Sequence, residues 1–233
     1  MKRTLSLIAV LAVIGFASSP AQAADHYVSG MGGVSRINNI TPAESYEAAS
    51  GNQDSNFDLD SGINALGVVG CDYGNHKLEA EIGYQSNEIK SGADNADGVV
   101  KNYPLEGSRY DMRGDVSVLS LMGNGYFDFH LGGGVAQVSF KDLNPVYNYD
   151  ARNNVLYENP DPGYNDRATT LTCQIGAGFA FPVTRNIRLD LRYRYFATTD
   201  FTYGSDGSVT SGNSGITTCI VSHSALSGSR DKF

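Results

Sequence analysis

Residues 187–195 read Ile-Arg-Leu-Asp-Leu-Arg-Tyr-Arg-Tyr, an unbroken alternation of apolar and charged side chains. Successive side chains of an extended strand point to opposite faces. Ile187, Leu189, Leu191, Tyr193 and Tyr195 therefore share one face, and Arg188, Asp190, Arg192 and Arg194 share the other. Lys77–Tyr84 repeats the pattern, with Leu78, Ala80, Ile82 and Tyr84 opposite Lys77, Glu79, Glu81 and Gly83. What such a chain can fold into depends on which face packs on protein and which meets the solvent.

Counting alternation between breakers gives eight strands, at about 26–36, 62–72, 77–87, 115–128, 131–140, 169–181, 187–198 and 217–232. Beyond the first residues no segment carries a helical stripe. The connections alternate in length. Long, polar stretches (37–61, Asn87–Gly114, 141–168 and Thr199–Gly215) take turns with short ones at Tyr73–His76, around Phe129–His130, and at Pro182–Asn186. In an up-and-down meander this puts all short turns at one end and all long loops at the other. That asymmetry is the one found in outer-membrane barrels, with turns in the periplasm and loops outside. Eight strands closed on themselves also leave no unpaired sheet edge, which hydrocarbon does not tolerate.

The N-terminus reads as an export signal. Met1-Lys2-Arg3 is basic, Leu5–Phe16 is apolar, and Ala21-Gln22-Ala23 is a small-x-small cleavage site, so residues 1–23 are expected to be removed. No later apolar run approaches the roughly 20 residues of a membrane helix. Removing Lys2 and Arg3 takes the formal charge from −8 to −10. Such an acidic chain of 24–233, read as one domain, argues against a nucleic-acid partner. Cys71, Cys173 and Cys219 are widely spaced and offer no zinc pattern. Cys71 and Cys173 fall on apolar-face positions, as small apolar fillers.

Period two is shared by a soluble barrel with an apolar lumen and by a membrane barrel with an apolar exterior. Three features favour the second. Tyr84, Tyr193 and Tyr195 lie near the loop ends of their strands, where an interfacial aromatic girdle belongs. The charged faces are mixed in sign, and strands three and seven of an eight-membered ring are diametrically opposed. Lys77, Glu79 and Glu81 are thus expected to meet Arg188, Asp190, Arg192 and Arg194 across a narrow lumen, since buried charges need partners. Gly176, Gly178 and Ala180 leave little bulk inward on strand six.

Several segments resemble the OmpA-like, opacity-type outer-membrane β-barrel family. They are Val69–Asn75, Glu79–Tyr84, Ser117–Phe129, Gln174–Gly178, Leu189–Phe196 and Ser222–Leu226. The resemblance spans 24–233 and is weakest in the long loops. It implies an all-β, eight-stranded antiparallel up-and-down transmembrane barrel in a Gram-negative outer membrane, with four long outer loops and three short periplasmic turns. Members are often surface antigens, adhesins or envelope stabilisers. The implied partners are outer-membrane lipid and lipopolysaccharide, the barrel-insertion machinery that reads the terminal Phe233, and an unknown extracellular partner of the loops. The chain stops at Phe233, so no peptidoglycan-binding domain is expected. The family usually has an aromatic at Cys71 and Cys173, and apolar groups where the last strand here has Ser227, Ser229 and Asp231.

Catalysis needs a nucleophile or an acid–base set held close together. The alternation pattern does not place His26, His76, His130 or His223 beside a Ser and a carboxylate, and neighbours in Ser222-His223-Ser224 face opposite ways. No catalytic, metal or cofactor site is expected. The loop carboxylates Asp54, Asp58, Asp60, Asp94 and Asp97 lack calcium-loop spacing. Gly132-Gly133-Gly134 has no following helix to cradle a phosphate. It reads instead as relief of crowding where strand five leaves its turn. The expected role is structural or surface-interacting, with a small pore as the rival and a lipid-modifying enzyme as a remote third.

Overall fold

The computed structural model describes residues 25–38, 40, 53–74, 76–96, 109–126, 129–145, 147–150, 155–158, 163–203 and 216–233. Among them run β1 (Asp25–Ile37), β2 (Gln53–Leu59), β3 (Gly62–Asp72), β4 (Lys77–Ala96), β5 (Arg109–Tyr126), β6 (His130–Pro145) and β7 (Tyr147–Asp150). β8 (Val155–Glu158), β9 (Tyr164–Pro182), β10 (Ile187–Thr198), β11 (Phe201–Tyr203), β12 (Ile216–Thr218) and β13 (Val221–Lys232) follow. The expected signal peptide lies outside the described residues.

Eight of these strands close a ring in the order β1-β3-β4-β5-β6-β9-β10-β13, every contact antiparallel. Closure is made by β1 and β13, paired from Tyr27↔Lys232 to Ile37↔Ser222. Ser227, Ser229 and Asp231 point outward on β13. Their polarity does not weaken closure, because the ladder is made by peptide groups rather than by side chains.

The apolar face is the outer one. Ile82 is 57% exposed, Leu189 44%, Leu191 43% and Leu171 61%. Their inward neighbours Glu81, Arg192 and Asp190 are buried. On β1 the outward positions from His26 to Arg36 carry only Val28, Gly30, Gly32 and Val34. Ten residues at about 3.3 Å each, tilted about 40°, give a band roughly 25 Å tall, the height of a bilayer's apolar zone. Above it, charged side chains return to the exposed surface at Arg36, Glu88, Asp115, Lys141 and Arg167. Tyr84 and Tyr193 are exposed and Tyr195 half-buried just below that level, as the girdle requires.

Strand ends differ from expectation mainly at the loop end. β4 has 20 residues, running to Ala96 rather than 87; β5 begins at Arg109 rather than 115; β6 continues to Pro145. That is about twice the 9–11 residues a membrane strand needs. The excess stands above the band as a sheet extended by β2, which pairs with the far half of β4. The segment expected as 217–232 divides into β12, paired with β11, and β13. The turn expected around Phe129–His130 comes earlier. His130 already belongs to β6 and pairs with Tyr126.

The lumen is not uniformly polar, as the mixed-charge strands alone suggest. Tyr27, Met31, Leu66, Val68 and Leu226 line one wall. A larger apolar cluster fills the loop end, built on Val116, Val118, Val138, Phe140, Phe196 and Phe201. Phe140 stacks on Tyr203 at 4.5 Å between centroids. The apolar exterior gives a direct test. Ile82→Arg places a charge at mid-height of the lipid face and is expected to lower stability by about 2–4 kcal/mol. Urea unfolding of the barrel refolded in phospholipid vesicles measures this, and an unchanged midpoint contradicts the orientation.

Candidate functional site

Opposed strands bring their charges together across the lumen. Glu79 and Glu81 on β4 face Arg192 and Arg194 on β10, half the ring away. Arg194 Nη1 donates to Glu81 Oε1 at 3.0 Å, and Arg192 Nη1 to Glu81 Oε2 at 3.4 Å. Arg192 Nη2 donates to both oxygens of Glu79 at 3.3 Å. All four side chains are buried. Removed from bulk water, such charges persist only when paired and hydrogen-bonded.

Neutral groups add further donors to the carboxylates. Tyr27 donates to Glu79 at 2.7 Å and Asn124 to Glu81 at 3.1 Å. Gln174 reaches both Glu81 oxygens at 3.3 Å and Asn124 Oδ1 at 2.6 Å. The guanidiniums also lie over aromatic rings, Arg194 over Phe196 at 4.6 Å and Arg192 over Tyr126 at 5.1 Å. Five of the ring's eight strands are thereby tied through one cluster.

Glycine makes this possible at particular rungs. Gly70 stands between Tyr27 and Glu79, and Gly132 between Asn124 and Gln174. A Cβ on Gly70 would meet the Tyr27 ring at 2.5 Å, and one on Gly132 would overlap Asn124 Oδ1. Each bond arches over the glycine of the intervening strand. The crowding relieved by the glycine run is thus that of the Asn124 amide. At Gly83 a Cβ would press on Ser120 and Leu66, 3.4 Å from Arg194 Nη1.

The seven charged residues expected to form one network do not all meet. Glu79, Glu81, Arg192 and Arg194 are the central cluster. Asp190 meets Arg230 of β13 instead, Oδ2 accepting at 2.7 Å from Nη2 and 2.9 Å from Nε. Lys77 lies 3.9 Å from Asp72 at the turn end. Arg188 is half-buried and makes no ion pair among the described residues. Both Lys77 and Arg188 sit too near the barrel mouth to cross the lumen. Arg230, Tyr27, Asn124 and Gln174 were not legible as partners. Gln174, a polar residue at an inward position between Cys173 and Ile175, carried the nearest thing to a signal.

Gly178 and Ala180 do line the mouth. The bulk they leave is taken by Tyr126 and His130, stacked at 4.9 Å. His130 is buried at the start of β6 rather than lying in a turn. His223 faces outward, bonded to the Tyr193 hydroxyl, and His26 lies 3.3 Å from the Cys71 thiol. Cys71, Cys173 and Cys219 are free. Among the described residues no cluster of three metal-ligating side chains occurs. Phe233 is exposed, stacks on His26 and donates its N–H to the His26 carbonyl at 3.1 Å. Of the carboxylates read as loop residues, Asp54 and Asp58 lie in β2 and Asp94 in β4, where Asp94 pairs with Ser55; Asp97 lies outside the described residues.

Removing one partner of a buried pair strands the other. Glu81→Leu leaves Arg194 without a counter-ion and is expected to cost about 3–5 kcal/mol. Adding Arg194→Leu is expected to recover part of that loss. Unfolding midpoints in detergent for the two variants check this, and a single variant as stable as the parent contradicts it.

The outer membrane protein beta-barrel domain family matches residues 8–217. No curated protein matches the chain. Among solved structures, the outer membrane protein OprG from Pseudomonas aeruginosa is similar at 11% identity, over 91% of this chain and 96% of that one, with a TM-score of 0.48. Ail, the attachment invasion locus protein of Yersinia pestis, was solved in complex with the heparin analogue sucrose octasulfate. It shows 13% identity over 90% and 99%, with a TM-score of 0.41. The outer membrane protease OmpT from Escherichia coli shows 13% identity over 93% and 99%, with a TM-score of 0.43.

Proposed function

Because the chain belongs to the outer membrane protein beta-barrel domain family and so to the outer membrane, we propose that it is a non-catalytic structural or surface-interaction barrel. Its working surface is the loop end. The observation that carries this reading is the obstructed lumen. Ion pairs cross it at mid-height, and a packed apolar cluster fills it beneath the loops. An ion following the axis would have to displace a buried salt bridge and then traverse an apolar plug. Long strands raised above the lipid zone, with charged side chains on their outer faces, supply a platform for an extracellular partner.

Export by cleavage after Ala23, contact with lipopolysaccharide, and insertion through recognition of Phe233 belong to the same reading. The absence of catalysis is supported by the histidines, each engaged or placed away from a Ser–carboxylate pair. A planar bilayer separates this reading from the rival pore. Purified, refolded barrel is expected to give no steady single-channel openings, and reproducible conductance steps would overturn the proposal.

A further inference from the structure

We propose that the cavity at the turn end of the lumen binds a phosphate group that carries a proton. The cavity, about 180 Å³, lies below the central cluster and is lined on its inner side by Lys77, Tyr126, His130, Asp190, Arg192 and Arg230. It opens beside the turn end of β9. Among the described residues, pairing between β6 and β9 ends at His130↔Gly176, while pairing between β9 and β10 continues to Arg188↔Pro182. Ala177–Ala180, beyond that last rung, border the opening.

Two observations point to the ligand. The first is charge. Arg192 and Arg194 are matched by Glu79 and Glu81, Arg230 by Asp190, and Lys77 by Asp72. Arg188, one inward position closer to the mouth than Asp190, has no such partner among the described residues, so the region carries an excess positive charge. The second is unmet hydrogen bonding. Asp190 Oδ1, Arg230 Nη1 and both ring nitrogens of His130 have no protein partner, although the three residues are only 1–4% exposed. Buried polar atoms are bonded in the great majority of native structures, and an ion or water accounts for many exceptions.

The orphaned atoms ask for opposite things. Arg230 must be given an acceptor and Asp190 a donor. Sulfate and carboxylate ions only accept, and would set an oxygen against the Asp190 carboxylate. A neutral alcohol would leave the excess charge unanswered. Hydrogenphosphate does both: its hydroxyl donates to Asp190 while its other oxygens accept from Arg230, Lys77 and His130. A phosphate ester, with a second pKa of about 6, offers that hydroxyl only in mildly acidic solution.

The test is isothermal titration of the full chain refolded in detergent micelles, at constant ionic strength. Inorganic phosphate is expected to bind saturably near neutral pH, with sulfate at least tenfold weaker. Asp190→Asn is expected to abolish that preference, and Lys77→Gln, at the rim, to weaken phosphate severalfold while folding survives. Glycerol phosphate, compared on either side of its second pKa, separates an esterified source from the free anion. No saturable phosphate binding, or equal affinity for sulfate in the parent protein, overturns the assignment without reference to any variant.

Discussion

A peptide group in hydrocarbon has no water to bond to, and the rest of this molecule answers that constraint. A ring of antiparallel strands pairs every neighbour with a neighbour, so the membrane zone needs no edge. Once the ring exists, strand geometry forces alternate residues inward. The outer set must be apolar because it faces lipid. The inner set must pack a cylinder only as wide as its own side chains. Charges at inward positions are therefore buried charges, and buried charges must find one another.

The central cluster meets that demand with more than Coulomb attraction. A pair of carboxylates and a pair of guanidiniums alone would leave lone pairs and N–H groups unmet, and desolvation could exceed the attraction. Tyr27, Asn124 and Gln174 donate to the carboxylate oxygens, and the rings of Phe196 and Tyr126 lie against the cations. Gly70 and Gly132 are as much a part of the device as the acids. Each removes one side chain so that a bond can pass over its strand. A hydrophobic filling of equal volume could stabilise as well, so the distinctive gift of the cluster is geometry. It fixes which strand stands opposite which.

Much of this was readable in the residues. The strands at 62–72 and 187–198 coincide with β3 and β10; alternation puts Glu79 with Glu81, and Arg192 with Arg194, on single faces, and the mixed signs and aromatic girdle turn those faces inward. The loop-end extensions were not readable. Beyond the lipid zone both faces meet water or loops, the alternation lapses into Gly, Asp and Asn, and pairing is held by backbone. The apolar filling of the lumen was masked for a related reason. In Val116–Met122 apolar residues occupy both phases, with Leu119 and Leu121 outward and Val116, Val118 and Met122 inward. A period-two reading credits only the outward set. Partners contributed by single neutral residues, such as Gln174, carry no pattern.

The bridge across the barrel joins residues far apart in the chain: Glu81 and Arg194 are separated by 113 positions. Contacts so remote form late, because the intervening loop must be closed first. While the chain is still a curling ribbon, the acids near its beginning stay wet and solitary. They lose their water only when the penultimate strand of the ring arrives with its arginines. Burial of Glu81 thus requires that two walls half the ring apart, β4 and β10, already face one another.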